Sequence, residues 1–143
     1  MTETQTLRGV ATISFFADDM AAARQWYSEL LGLEPYFQRP DAENPSYVEF
    51  RIGDYQLELG IISSKYAPKG AAGGPGGAIL YWYVDDVAAV FEKVIAMGAK
   101  EYEPVTTRGV GFVTASVIDP FGNVLGLMYN AHYMEILGKM QKS

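Results

Sequence analysis

Residues 12–23 and 79–90 are two copies of one sequence unit, separated by 67 positions (79 minus 12). The first copy reads TISFFADDMAAA and the second reads ILYWYVDDVAAV, so each has a short apolar strand, an Asp-Asp pair and an apolar helix start. A repeated strand–helix unit constrains the architecture, because each copy has the same kind of apolar face to bury. We therefore expect two modules of the same topology.

Length and composition limit the class of protein. A half of roughly 65 residues buries too little surface to be stable alone, so the two halves are expected to pack on each other or on a partner chain. Hydrophobic residues make up 49% of the 143 residues and charged residues 20%, as in an ordinary soluble globular protein. The chain has no apolar run of membrane-spanning length and no signal pattern at its start, so we expect no membrane partner.

Charge and cysteine content restrict the partners further. The net charge of −6 argues against nucleic-acid binding, which requires a basic face, and is compatible with a cationic ligand. The absence of cysteine excludes disulfides and thiolate metal sites. We therefore expect a cytoplasmic protein, since disulfides are typical of oxidising compartments.

The Asp-Asp pair of each copy predicts the start of a helix. A short carboxylate accepts hydrogen bonds from the free N–H groups of the first turn, so Asp18 or Asp19 is expected to cap the first helix. Apolar residues then recur at helical spacing, and Gly32 is a natural stop. The second copy repeats this stripe and ends at Gly98.

The clearest strand signal lies at residues 47–62, where apolar and polar side chains alternate on either side of Gly53 and Asp54. A two-residue turn at Gly53-Asp54 would place Glu49 directly opposite Glu58. Two facing carboxylates repel, so one of them would be harder to ionise and could serve as a general acid or base.

Arg51 offers an alternative interpretation of the same hairpin. The expected register places Arg51 opposite Gln56 and diagonal to Glu58, where its positive charge would neutralise the carboxylate pair. The polar face of this sheet could also be an ordinary solvated surface.

The rest of the chain divides by composition. A second hairpin is expected around residues 119–123, with strands at 112–118 and 124–130, and short strands are expected within 34–46 and 99–111. The Gly-rich stretch at 69–77 lacks a phosphate-loop ending and precedes a strand, so it predicts a flexible linker.

The tail also has a helical pattern. Its apolar residues Tyr133, Ile136, Leu137 and Met140 recur at helical spacing and predict a short amphipathic helix. This helix could cover its own sheet or bind a partner chain.

The doubled strand–helix–three-strand order, with Asp-Asp at each helix start and Asp-Pro-Phe-Gly-Asn at 119–123, resembles the vicinal oxygen chelate superfamily. This superfamily includes glyoxalase I, bleomycin-resistance proteins, fosfomycin-resistance proteins and extradiol dioxygenases. The resemblance covers about residues 8–130 and implies an α+β fold, in which two βαβββ modules form curved mixed sheets around a cleft. It implies one glyoxalase-like domain, divided as follows: module one at about 8–66, a linker at 67–77, module two at 78–130 and a helical tail at 131–143.

Metalloenzymes of the superfamily hold a divalent metal with side chains from the first and last strands of the modules. The resemblance places these four positions on Thr12, Glu58, Ile79 and Gly126. Only Glu58 among them is a good metal ligand, whereas a transition metal needs three or four nitrogen or oxygen donors. We therefore predict no metal and no cofactor. The single histidine, His132, lies beyond the last strand and is expected to be a surface or capping residue.

The implied geometry and period-2 alternation together select residues for the cleft. The expected ligand-binding residues are Thr12, Ser14, Phe16, Glu49, Arg51, Gln56, Tyr81, Tyr83, Thr114, Ser116, Gly126 and Met128. Such a lining suits a drug-sized organic ligand. Alternatively, the aromatic residues Phe16, Tyr81 and Tyr83 fill space between the modules, and Gly126 marks a bend.

Three functions follow from these observations. The leading hypothesis is a metal-independent small-molecule binding protein, similar to the bleomycin-resistance branch, that sequesters an aromatic or amphipathic ligand. The second is a cofactor-free lyase, isomerase or epimerase in which Glu58 transfers the proton and Arg51 holds a substrate anion. The third is a metal-dependent glyoxalase or dioxygenase. The resemblance also implies a homodimer.

Overall fold

The computed structural model describes residues 5–8, 10–70 and 78–141. The chain divides into two compact units, Met1–Ala72 and Gly73–Ser143. Each unit contains a four-stranded mixed sheet and helices, as an α+β fold requires. Among the described residues, no helix is long and apolar enough to cross a membrane.

The first unit has the predicted βαβββ order. Its elements are β1 Thr12–Ala17, α1 Met20–Leu31, β2 Phe37–Arg39, β3 Tyr47–Ile52, β4 Leu57–Ser63 and a 3-10 helix Ser64–Tyr66. The strand order is β1-β4-β3-β2, in which β1 is parallel to β4 and the other neighbours are antiparallel.

The second unit repeats this topology and adds a helix. Its elements are β5 Tyr81–Tyr83, α2 Val87–Ala96, β6 Lys100–Gly109, β7 Phe112–Ile118, β8 Val124–Asn130 and α3 Ala131–Gln141. The order β5-β8-β7-β6, with β5 parallel to β8, matches that of the first sheet. The predicted duplication and the α+β fold are therefore confirmed.

The second aspartate of each pair caps its helix. The Asp19 carboxylate accepts a hydrogen bond from the N–H of Ala22 at 3.0 Å, and the Asp86 carboxylate accepts one from Ala89 at 3.1 Å. The first helix ends at Gly32, whose φ of 70° is the left-handed conformation that glycine adopts without strain.

One face of the first sheet forms the core with α1. The side chains of Ile13, Phe15, Phe50 and Leu59 are buried, and the Tyr27 ring of the helix lies 6.0 Å from the Phe15 ring. Full burial of each such side chain contributes about 1.5–3 kcal/mol. Alternation along the strands turns the polar side chains to the other face of the sheet, which carries the candidate site.

The predicted hairpin register is wrong. Four residues, 53–56, connect β3 to β4, so Arg51 pairs with Glu58, and Glu49 pairs with Gly60. Both ends of this turn have positive φ, 75° at Gly53 and 55° at Gln56, and the Gln56 N–H donates to the Gly53 carbonyl at 3.1 Å. The wider turn shifts the register and leaves Gln56 in the turn, outside the strand on which it was expected.

Other boundaries differ by smaller amounts. The second expected short strand is a ten-residue strand, β6, with register irregularities against β7, and Ile79 lies outside β5. The tail forms the predicted helix α3. Residues 71–77 of the predicted linker lie outside the described residues.

Candidate functional site

Five side chains on the polar face of the first sheet form a connected network, which we call the module-one cluster: Thr12, Tyr47, Glu49, Arg51 and Glu58. Strand β1 supplies the threonine, β3 supplies the central three residues and β4 supplies Glu58. The parallel pairing of Thr12 with Glu58 and the antiparallel pairing of Arg51 with Glu58 bring the three strands into register at this point.

Arg51 lies between the two carboxylates of the cluster. Its Nη2 lies 3.1 Å from Glu49 Oε2 and its Nη1 lies 3.2 Å from Glu58 Oε2. Its guanidinium carbon also lies 5.3 Å from the centre of the Tyr36 ring, within the range of a cation–π contact. One positive charge therefore faces both carboxylates and offsets part of their repulsion, which agrees with the alternative interpretation of the hairpin.

Tyr47 links the same two carboxylates from the other side. Its phenol oxygen lies 3.1 Å from Glu49 Oε1 and 3.2 Å from Glu58 Oε1. The two carboxylates therefore share the single proton that the phenol can donate. Burial raises the pKa of Tyr47 well above its usual range, and the hydrogen bonds and negative charges of Glu49 and Glu58 raise it further. The phenol is therefore a neutral hydrogen-bond donor under all physiological conditions.

The Glu58 carboxylate is held on both oxygens. Oε1 accepts hydrogen bonds from the Thr12 hydroxyl at 3.1 Å and from Tyr47, and Oε2 faces Arg51. The carboxylate is oriented by its neighbours, which use three of its roughly four lone-pair sites.

The residues present do not fit the divalent metal that the superfamily resemblance implies. In the first unit, the Thr12 hydroxyl donates a hydrogen bond to Glu58, and the Arg51 guanidinium forms an ion pair with it. Neither contact provides a second metal ligand beside Glu58. In the second unit, Ile79 and Gly126 have no donor side chain. No group of three or more His, Asp or Glu side chains placed to hold a metal occurs in the described part of the chain.

A second polar network lies on the sheet of the second unit. Glu103 Oε1 accepts hydrogen bonds from the Tyr81 hydroxyl at 3.1 Å and from the Ser116 hydroxyl at 3.0 Å. Arg108 lies 3.8 Å from Glu103 and donates from Nε to the Thr114 hydroxyl at 3.0 Å. Burial raises the pKa of Tyr81, and so does its hydrogen bond to Glu103. Both sheets thus combine a tyrosine, a glutamate and an arginine.

Strand register identifies which positions of the two sheets correspond. Two rows of cross-strand partners are equivalent: Ser14–Gly60–Glu49 in the first sheet and Tyr81–Gly126–Ser116 in the second. By this register, Gly126 corresponds to Gly60 and Val124 corresponds to Glu58. The sequence comparison instead aligned Glu58 with Gly126, which lies two residues after Val124. Val124 also lacks a donor atom, so the register gives the second unit no metal ligand here.

The remaining expected site residues have separate environments. Ser14 is exposed on the polar face of β1, beside the half-buried Phe16. Tyr83 stacks on Tyr133 of α3, with ring centres 4.5 Å apart and planes 5° from parallel. Met128 lies in β8 opposite Thr114. The stacking of Tyr83 fixes the tail helix to its own sheet, a role that the sequence left open.

Sequence reasoning missed three members of these networks. Tyr47 was not predicted as a site residue, although it lies two residues before Glu49 in the same alternation. Glu103 and Arg108 were hidden because the irregular register of β6 breaks the period-2 pattern. His132 is exposed, as expected, with Nδ1 3.9 Å from Glu135.

Comparison with known proteins gives a family and a fold. A family model described as the Glyoxalase/Bleomycin resistance protein/Dioxygenase superfamily matches residues 9–127. No curated protein matches this chain.

Similar solved structures carry several different names. A glyoxalase-related enzyme from Fulvimarina pelagi is 24% identical, covers 87% of this chain and 90% of its own, and has a TM-score of 0.70. A lactoylglutathione lyase from Agrobacterium tumefaciens is 21% identical, covers 87% of this chain and 96% of its own, and has a TM-score of 0.64. A bleomycin resistance determinant encoded on the transposon Tn5 is 22% identical, covers 85% of this chain and 98% of its own, and has a TM-score of 0.58.

Proposed function

This chain belongs to the glyoxalase/bleomycin resistance protein/dioxygenase superfamily, and we propose that it is a metal-independent protein that binds and sequesters an aromatic or amphipathic small molecule. Structures of the same fold include both a lyase and a resistance determinant. One fold hosts many functions, so the chemistry of the site has to distinguish them.

The observation that carries this proposal is the engagement of Glu58. Metal binding needs a carboxylate that faces further ligand side chains, and proton abstraction needs one that faces the substrate, whereas the neighbours of Glu58 use three of the roughly four lone-pair sites of its carboxylate. Thr12 and Tyr47 donate to one oxygen of Glu58 and Arg51 faces the other. The cluster is therefore a preorganised polar surface, suited to orienting a ligand.

Aromatic side chains next to the cluster supply the apolar contact that such a ligand requires. Tyr36 is 71% exposed and lies against Arg51, and Phe37 of the neighbouring strand is 45% exposed. Tyrosine and phenylalanine provide large contact areas at a low cost in conformational entropy. A site with an apolar aromatic lining and a few oriented polar groups is typical for small organic ligands.

The first test measures metal content. Untagged protein is incubated with zinc, nickel, manganese, cobalt and iron, desalted and measured by elemental mass spectrometry. We expect less than about a tenth of an equivalent of any metal, because the donor set is too small. Near one equivalent, lost in Glu58→Gln, would overturn the proposal and restore the glyoxalase or dioxygenase hypothesis.

The second test separates sequestration from catalysis. Aromatic and amphipathic compounds, antibiotics included, are screened by thermal shift, since a ligand that binds only the folded state raises its stability. Hits are then incubated with wild type and Glu58→Gln and recovered for mass spectrometry. Unchanged ligand in both proteins supports sequestration, whereas turnover that is lost in Glu58→Gln supports the cofactor-free enzyme. A screen without any saturable hit contradicts both.

We also expect a homodimer. The tail helix α3 exposes Met134, Ile136 and Met140, although Leu137 of the same helix is buried. Ile136 and Met140 lie about one turn apart on the same side of the helix, and an exposed apolar pair of this kind suits an interface between subunits. Light scattering of the purified protein tests this expectation, which a mass of one chain would contradict.

A further inference from the structure

A groove lies at one end of the polar face of the first sheet, within the first unit. Its volume is about 570 Å³, and the residues that line it are Arg39, Pro40, Ser46, Tyr47, Ile62 and Tyr66. Pockets of this size hold drug-sized organic molecules. No residue of the groove was selected from the sequence.

Backbone hydrogen bonds fix the floor of the groove. The Ser46 N–H donates to the Arg39 carbonyl at 2.8 Å, and the Ser63 N–H donates to the Ser46 carbonyl at 2.9 Å. Tyr47 and Ile62 are direct cross-strand partners in the same sheet. The segments that carry the lining are thus tied together, which lowers the ordering cost of binding a ligand.

Tyr47 connects the groove to the module-one cluster. Its hydroxyl is used by Glu49 and Glu58, and the raised pKa keeps the phenol neutral, so it brings no charge to the groove. Tyr66 lies at the end of the 3-10 helix and is 67% exposed. The two tyrosines, Pro40 and Ile62 give the groove a mainly apolar and aromatic lining.

The groove lining carries a cationic side chain. Among the described residues that line the groove, Arg39 is the one that carries a charge. Within residues 5–8, 10–70 and 78–141, no ion pair involves Arg39. A guanidinium beside aromatic rings complements a planar molecule that carries a carboxylate, sulfonate or phosphate group.

We infer that this groove binds an aromatic anion, whose ring contacts Tyr47 and Tyr66 and whose acidic group pairs with Arg39. The inference rests on the proposed function, because it names the ligand class for the polar face of module one. The net charge of −6 was compatible with a cationic ligand. An anionic ligand is inferred instead, because the charge close to a binding groove affects a ligand more than the net charge of the chain does.

Two fluorescent probes with the same ring system test the inference. 8-Anilinonaphthalene-1-sulfonate carries the anion, and N-phenyl-1-naphthylamine lacks it. Both are titrated against wild type, Arg39→Gln, Tyr66→Leu and the control Arg8→Gln, which removes the same charge from an exposed position elsewhere. We expect Arg39→Gln to weaken sulfonate binding about threefold to fivefold, the upper part of the range for an exposed charge pair, and amine binding less than twofold.

Tyr66→Leu should weaken both probes, because both use the aromatic contact. Equal effects of Arg39→Gln on the two probes, or equal effects of Arg39→Gln and Arg8→Gln, would overturn the anion assignment while leaving sequestration intact. Saturable sulfonate binding that neither Arg39→Gln nor Tyr66→Leu alters would place the ligand elsewhere and also overturn the inference. Failure of both probes to bind wild type would overturn it too, and the thermal-shift screen then decides the proposed function separately.

Discussion

Arg51 lies directly opposite Glu58 in the hairpin between β3 and β4, with Nη1 3.2 Å from Glu58 Oε2. The same guanidinium lies 3.1 Å from Glu49, so one cation faces two carboxylates. The Glu49 side chain is 10% exposed and the Glu58 side chain 21%. Partial exclusion of water strengthens these interactions beyond those of ordinary surface ion pairs.

Replacing Arg51 by methionine should therefore destabilise the protein. The change leaves two shielded carboxylates without their cation, and we expect a loss of about 1–3 kcal/mol in the free energy of unfolding at pH 7, less than for a fully buried pair because Arg51 is partly exposed. Urea denaturation measures the loss. Adding Glu49→Gln to Arg51→Met should recover part of it, because only one carboxylate then remains.

Arg108→Met is the matched control for that prediction. Arg108 lies 3.8 Å from Glu103, whose side chain is 37% exposed. This ion pair is therefore longer and more exposed to solvent than the two pairs of Arg51. We expect a loss of about 0.5 kcal/mol, as for surface ion pairs. Equal losses in Arg51→Met and Arg108→Met would contradict the role assigned to the module-one cluster.

Tyr47→Phe should destabilise the protein in a manner that depends on pH. Removing the shared donor should cost about 1–3 kcal/mol at pH 7, because hydrogen bonds to charged groups are stronger than neutral ones. Folding raises the Tyr47 pKa above its unfolded value of about 10, so the stability linked to this proton is complete below pH 10 and is lost as pH rises above it. The advantage of wild type over Tyr47→Phe should therefore shrink in alkaline solution.

Urea denaturation at several pH values from 7 to above 10 checks this expectation. Tyr102→Phe provides the control, because Tyr102 is 44% exposed. That variant should remain within about 0.5 kcal/mol of wild type at pH 7, as most surface substitutions do. A difference between wild type and Tyr47→Phe that stays constant or grows above pH 10 would contradict the linkage.

The sequence was sufficient for the fold because the duplicated pattern is strong and local. Both helix starts follow from the Asp-Asp pairs, and β7 and β8 have the expected bounds on either side of residues 119–123. The first hairpin was mispredicted because Gln56 adopts a positive φ, which is uncommon for a residue other than glycine. A shift of the turn by two residues changes every cross-strand pair while keeping the same face, so the alternation could not reveal it.

The site was predicted only in part for the same reason. Thr12, Glu49, Arg51 and Glu58 do meet in one cluster. Their pairing depends on the register, however, and the register decides whether Glu58 faces another carboxylate or Arg51. Contacts across irregular strands, such as those of Glu103, depend on bulges that no sequence pattern specifies.

The duplicated Asp-Asp pair provides a prediction with an internal control. Asp19→Ala and Asp86→Ala each remove a helix cap and should each lower the free energy of unfolding by about 1 kcal/mol. Asp18→Ala and Asp85→Ala change the neighbouring aspartates, which do not cap the helices, and should cost less than about 0.5 kcal/mol. Thermal denaturation of the four variants tests the difference. Equal losses from both members of a pair would contradict the capping assignment.

Two glycines lie where tyrosine rings cover the polar faces of the sheets. A Cβ on Gly126 would lie 2.6 Å from the carbonyl oxygen of Leu80 and 2.7 Å from Cδ1 of Tyr81. A Cβ on Gly60 would lie 2.9 Å from Cε1 of Tyr47. The first contact involves backbone that is held by the hydrogen bond from the Gly126 N–H to the Leu80 carbonyl, whereas the second involves only a side chain.

Alanine at these positions should therefore destabilise the protein in a fixed order. We expect Gly126→Ala to cost about 2–3 kcal/mol and Gly60→Ala about 1–2 kcal/mol, because overpacking forces the neighbouring atoms to move. Gly109→Ala is the control, since a Cβ there meets nothing within 4 Å, and it should be neutral or stabilising by about 0.4–1 kcal/mol. Urea denaturation measures all three, and a Gly126→Ala variant as stable as Gly109→Ala would refute the close approach of Tyr81 and the Leu80 carbonyl.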